Sequence, residues 1–138
     1  MPPLFTLIDK LNAQPERQTE LEADIWRQFG CHKTVLALDM SGFSLTVRRD
    51  GIVSYLAKIR QMQQLTIPLV KQYQGELVKC EADNLMAVFD DATHALQAAI
   101  AMSVGCKHLG QTVSIGLDYG HILLIKNKDC FGDAVNRA

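Results

Sequence analysis

The apolar positions of this chain change period several times. Over residues 1–30 they are first scattered (Leu4, Phe5, Leu7, Ile8, Leu11) and then take a helical spacing at Leu21, Ile25, Trp26 and Phe29. Thr19 with Glu22 has the capping-box spacing that starts such a helix, and Gly30 ends it. The stripe suits a dimerising or signal-passing helix ahead of a domain, or a helix packed on its own core, and spacing leaves both open. From Lys33 the pattern becomes Thr34-Val35-Leu36-Ala37-Leu38, a short apolar run that reads as a buried strand ending at Asp39. After Gly42 and a polar stretch, Ile52, Leu56, Ile59, Met62, Ile67, Val70 and Tyr73 mark a long helix closing at Gly75, with a kink or a fresh start expected at Pro68.

Two strand-like runs follow, residues 76–80 and 85–89. They are separated by Glu81-Ala82-Asp83-Asn84, which has hairpin length and chemistry and places Asp83 at the tip. Residues 92–106 are alanine-rich and helical, 112–117 and 121–126 read as two strands, and another helix begins at Gly132. The order β-α-β-β-α-β-β predicts an α+β, ferredoxin-like (βαββαβ) domain over residues 31–138, with residues 1–30 as an N-terminal helical or linker segment. In that arrangement an antiparallel sheet carries helices on one face and leaves room for a site on the other.

Composition narrows the function. A chain of 138 residues, 48% hydrophobic and 21% charged, is long enough for one soluble domain with its own core. A net charge of −1 argues against general nucleic-acid binding, which needs clustered Lys and Arg. No uncharged apolar run approaches the roughly 20 residues needed to cross a bilayer, and Met1-Pro2-Pro3 lacks the order of a signal peptide. Cys31, Cys80, Cys106 and Cys130 form no C-x-x-C pair, so reduced thiols in a cytoplasm are expected rather than a zinc site. His94, His108 and His121 share no metal spacing, and Met62, Met86 and Met102 read as core fillers. No hydrolase signature and no G-x-x-x-x-G-K-[ST] loop is present.

Asp39 after the first strand and Asp83 in the hairpin meet if the first strand lies beside that hairpin. Such a carboxylate pair holds Mg²⁺ and leaves its other positions to water and phosphate. The same spacing also suits two solvated turn aspartates. Gly42, in Met40-Ser41-Gly42-Phe43-Ser44, lets backbone N–H groups approach an anion, as at a triphosphate cradle, although a glycine after a strand is often just a turn.

Three segments together carry a resemblance. Leu38-Asp39-Met40-Ser41-Gly42-Phe43-Ser44 resembles the metal-binding loop of the class III nucleotidyl cyclases, Lys79-Cys80-Glu81-Ala82-Asp83 is similar to their K-x-x-G-D hairpin, and residues 129–136 resemble their D-x-[FW]-G-x-x-V-N stretch. Gly75-Glu76-Leu77-Val78, Gly116 and Gly120 fit the same pattern. The resemblance implies an adenylate cyclase that makes 3′,5′-cyclic AMP and pyrophosphate for intracellular signalling. It implies two divalent ions (Mg²⁺ or Mn²⁺) on Asp39, Asp83 and the Met40 carbonyl, and phosphates held by the backbone of Gly42, Phe43 and Ser44. Lys79 and Asp129 match the base-reading positions with the residue types associated with adenine, where guanylyl cyclases usually show Glu and Cys; Asn136 matches the asparagine that places the ribose and the reacting phosphate. A homodimer with shared sites is implied, Asp39 and Asp83 coming from one subunit and Lys79, Asp129 and Asn136 from its partner.

The sequence departs from that pattern in places. Ala82 stands where the hairpin usually has glycine, which endangers the position of Asp83 if the turn needs positive φ. The segment between Gly120 and Asp129 is short. The arginine expected four positions after Asn136 falls past Ala138, and Arg137 is expected on a different face of its helix. The resemblance is therefore to a C-terminally incomplete domain, and this 138-residue form is expected to be weak or inactive. The alternative is a non-catalytic module that binds nucleotide or dimerises and regulates something else.

Overall fold

The computed structural model describes residues 3–138, and residues 43–46 by their backbone alone. Two helices lead in, α1 (Pro3–Ala13) and α2 (Gln18–Phe29). The chain then runs through β1 (Gly30–Met40), α3 (Phe43–Asp50), α4 (Ile52–Gln72), β2 (Gly75–Glu81), β3 (Asn84–Phe89), α5 (Ala92–His108), β4 (Val113–Ile125), β5 (Asp129–Phe131) and α6 (Asp133–Arg137). The strands form one 5-stranded sheet in the order β2-β3-β1-β4-β5, antiparallel at every pairing. Without the small β5 this is the ferredoxin-like order expected from the sequence.

The apolar run of β1 is continuous because the strand is covered on both faces. Leu36, Leu38 and Met40 point into the main core with Tyr55, Ile59 and Met62 of α4 and Ala95, Ala98 and Met102 of α5. Val35 points the other way, into a smaller cluster with Val78, Val88, Ile122, Cys130 and Ala134. That second cluster draws residues from all five strands and α6, so the sheet curls and β5 comes back towards β2, its opposite edge.

A register shift in β2 sets the face on which Lys79 stands. Leu77 pairs with Ala87 and Lys79 with Met86, one residue being left over between them. In a regular strand Leu77 and Lys79 would share a face; the extra residue turns Lys79 onto the face away from the helices while Leu77 stays against the core.

Several expectations are corrected. The capping box at Thr19 does not form: α2 begins at Gln18 after a 3₁₀ turn, and no side chain caps it. Leu21 and Ile25 are buried in the chain's own interior, but Trp26 is exposed and packs at a tilt of 39° against His121, which stacks on His32, with ring centroids 4.3 Å apart in each pair. Helix α4 runs through Pro68 without a break, and its buried stripe is Tyr55, Ile59, Met62, Thr66 and Val70, while Ile52 and Leu56 are exposed. Residues 112–117 and 121–126 are not two strands: β4 is continuous, pairing with β1 from Met40–Val113 to Gly30–Leu123. Its glycines serve packing instead. A Cβ on Gly120 would stand 2.9 Å from the Cβ of Ala134 in α6. Met86 packs, half-buried, on the smaller cluster, with Cys130 Sγ 3.2 Å from its sulfur, and also borders the open side. Among the described residues no helix is long and apolar enough to cross a membrane.

Candidate active site

Asp39 is the penultimate residue of β1, in register with Asn84 of β3 and Ser114 of β4, exposed on the face away from the helices. Asp83 completes the two-residue turn between β2 and β3. Ala82, its first residue, has φ +49°, a left-handed conformation that costs an L-residue about 1 kcal/mol. The turn does need positive φ, yet Asp83 stays beside β1, because three hydrogen bonds hold it. The Met40 N–H donates to the Asp83 carbonyl at 3.0 Å, the Gln63 side-chain amide to the Ala82 carbonyl at 3.2 Å, and the Tyr55 hydroxyl to Asp83 Oδ2 at 2.7 Å. Burial first, then the bond to Asp83, then the charges of Asp83 and Asp39 push the Tyr55 hydroxyl well above the ordinary phenol range, so it stays a donor.

The pair suits a hard divalent ion that needs one or two carboxylates and takes its other ligands from water and phosphate. Asp39 is exposed and Asp83 keeps an oxygen that the tyrosine does not use. Among the described residues no three His, Cys, Asp or Glu side chains converge, so a fully protein-built cage is not what the structure offers.

Asp39 also lines a cavity of about 650 Å³ with Lys79, Asn84, Ser114, Gly116 and Arg137. At its rim Lys79 Nζ lies 3.2 Å from Asp129 Oδ1, each side chain about one-third exposed. The Cys130 N–H donates to the same Asp129 oxygen at 2.9 Å and fixes the carboxylate. Burial, and next the Asp129 charge, push the Cys130 thiol up to about 11, which leaves it an inert packing group. Arg137 is turned into this cavity and pairs with Asp118, which it holds below the usual carboxylate range. Asn136 is exposed and does not line it.

The expected phosphate loop lies next to Asp39. The Ser41 N–H and hydroxyl both donate to the Thr112 carbonyl at 3.0 Å, and Gly42, at φ +84°, opens α3 with no side-chain cap. Phe43 and Ser44 are the first residues of α3; their side chains lie outside the described residues. Met40, Ser41 and Gly42 border a second hollow of about 220 Å³ with Tyr55, Arg49 and Lys58.

Sequence reading missed Tyr55 and Gln63; Arg137 it set on a different face from Asn136, and Arg137 alone of the two lines the cavity. Tyr55 had a signal: it sits four residues before Ile59 and seven before Met62, on the inner helical stripe, where a phenol needs a partner for its hydroxyl. Gln63 had none, since a polar residue on a helix is ordinarily solvated.

A curled antiparallel sheet in this strand order, with both helices of the βαββαβ unit on one face, is the class III nucleotidyl cyclase fold. Solved structures that resemble it include adenylyl and guanylyl cyclases. A bacterial light-regulated adenylyl cyclase matches over 79% of this chain and 67% of its own, with TM-score 0.71 and 21% identity. An adenylate/guanylate cyclase/hydrolase from Silicibacter pomeroyi matches over 78% of this chain and 66% of its own, with TM-score 0.67 and 29% identity. The guanylate cyclase domain of RhGC from Catenaria anguillulae, in complex with GTP, matches over 76% and 68%, with TM-score 0.65 and 20% identity. The chain thus spans about two-thirds of these proteins. No family model and no curated protein matches the sequence.

Proposed function

We propose that the chain acts as an adenylate cyclase, converting ATP into 3′,5′-cyclic AMP and pyrophosphate. The observation that carries this reading is the Lys79–Asp129 pair, 3.2 Å apart at the rim of the cavity that holds Asp39. A lysine donates to N1 of adenine and an aspartate accepts from its exocyclic amine, an edge that guanine does not present. Each group satisfies the other until a base takes its place.

In the proposed reaction the ribose 3′-oxygen attacks the α-phosphorus. The O3′–P bond forms as the bond to the bridging β-phosphate oxygen breaks; the hydroxyl proton passes to solvent and pyrophosphate leaves. Two divalent ions, Mg²⁺ or Mn²⁺, held by Asp39, Asp83 and the Met40 carbonyl, would supply activation of the attacking oxygen and neutralisation of the leaving phosphate. The backbone of Gly42, Phe43 and Ser44 holds the phosphates, and alignment with electrostatics, not a protein nucleophile, sets the rate. Asn136 stands outside its own chain's cavity, which suits a homodimer in which Lys79, Asp129 and Asn136 reach the partner's substrate, although Lys79 also lines the cavity of its own chain's Asp39. The same position also favours the second reading, a module that binds nucleotide without turning it over.

The test is cyclic nucleotide formation from ATP and from GTP with Mg²⁺ or Mn²⁺, measured beside nucleotide binding. Cyclic AMP from ATP in preference to GTP is expected, and Lys79→Glu with Asp129→Cys should move that preference towards GTP. Equal turnover of both nucleotides would refute the base-reading role, and ATP binding without product, in this form and in any longer native form alike, would support the second reading.

A further inference from the structure

We propose that the Tyr55 hydroxyl selects the ion at Asp83: by holding Oδ2 it fixes the orientation of the carboxylate and disfavours its turning both oxygens to one cation, which favours a small octahedral ion over calcium. This rests on the reading of Asp39 and Asp83 as metal ligands. Tyr55 is 3% exposed, packed in the main core on the inner stripe of α4, and its hydroxyl donates to Oδ2 at 2.7 Å. The turn that carries the carboxylate is held at its backbone as well, by the Met40 N–H and the Gln63 amide. Rotating the carboxylate to present both oxygens to one ion would break its bond to a hydroxyl that the core keeps in place. Ca²⁺ accepts 6–8 oxygen ligands and readily takes carboxylates through both oxygens, whereas Mg²⁺ demands near-octahedral geometry and takes water and phosphate for the rest. Tyr55 is thus a positioning residue acting through Asp83, and its effect is on the choice between ions.

The experiment is direct binding of Mn²⁺, followed by the loss of its free electron-spin signal, with Ca²⁺ as competitor and no nucleotide present. In Tyr55→Phe the affinity for Ca²⁺ relative to Mn²⁺ should rise about tenfold, the worth of one charge-assisted hydrogen bond. Asp39→Asn should lose both ions. Equal weakening of both ions, or an unchanged ratio, would overturn the role of Tyr55 while leaving the metal reading intact. A wild-type protein that binds neither ion would overturn both. If Tyr55→Phe does not fold, infrared difference spectra of the wild type decide: the carboxylate stretches that vanish in Asp83→Asn should keep on Mn²⁺ binding a splitting no narrower than in the ion-free protein, as for coordination through one oxygen with the other hydrogen-bonded. Narrow splitting, the mark of two-oxygen coordination, would overturn the proposal.

Discussion

Asp39 and Asp83 differ in how they are tied to the protein, and replacing each by Asn should show it. Asp39 is exposed at a strand end, so Asp39→Asn should abolish metal-dependent nucleotide binding while Tm holds. Asp83→Asn should abolish the same binding but also cost about 1 kcal/mol, because the bond from Tyr55 loses its charged acceptor. Equilibrium dialysis with Mn²⁺ and thermal unfolding of both variants check the pair. Ala82→Gly should stabilise the domain by roughly 0.5–1 kcal/mol, since glycine takes φ +49° without strain, and denaturant titration measures it. Asp39 and Asp83 stood out in the sequence because carboxylates at a strand end and a turn are hard to assign to a core, whereas Lys79 and Asp129 were singled out only by the family resemblance. Tyr55 was hidden by its place among apolar neighbours. Gln63 was hidden because its partner is a backbone carbonyl nineteen residues away, which no local pattern reports.

At the scale of elements, period and turn chemistry gave the strand order, and the misreadings came from tertiary packing overriding a local signal. Residues 118–120 were read as a break between two strands, but β4 is held along its length by β1 and Gly120 admits α6. Pro68 suggested a kink or a fresh start, but no new helix begins there: it sits in the last turns of α4, where the loss of one hydrogen bond is outweighed by the buried stripe around it. The extra residue in β2 left no trace in the alternation of Gly75–Glu81, yet it decides which face Lys79 occupies. Gly120→Val would press side-chain atoms against Ala134 and should cost about 1–3 kcal/mol as α6 is displaced. Cross-peaks between Ala134 and Ile122 should weaken in that variant while those between α4 and α5 remain; unchanged contacts would show that α6 does not depend on the glycine.

For the whole molecule, the placement of the site residues bears on whether one chain makes a complete site. Asp39 and Lys79 line the same cavity of a single chain, while Asn136 faces outward. If two copies share their sites, mixing inactive Asp39→Asn with inactive Lys79→Glu should restore about a quarter of wild-type activity, since half the dimers are mixed and each carries one intact site. Continued inactivity of the mixture would mean that each chain works from its own residues. The packing of Trp26 against His121, which stacks on His32, supplies a different kind of handle. Trp26 is the sole tryptophan, and His32 lies seven residues before Asp39 on β1, roughly 23 Å away for an extended strand. Emission from this one indole is therefore a built-in gauge of whether α2 stays seated on the sheet. It reads the start of the sheet at a distance from the carboxylates, so detachment of α2, followed by the indole, can be timed against loss of the whole fold, followed by far-ultraviolet circular dichroism.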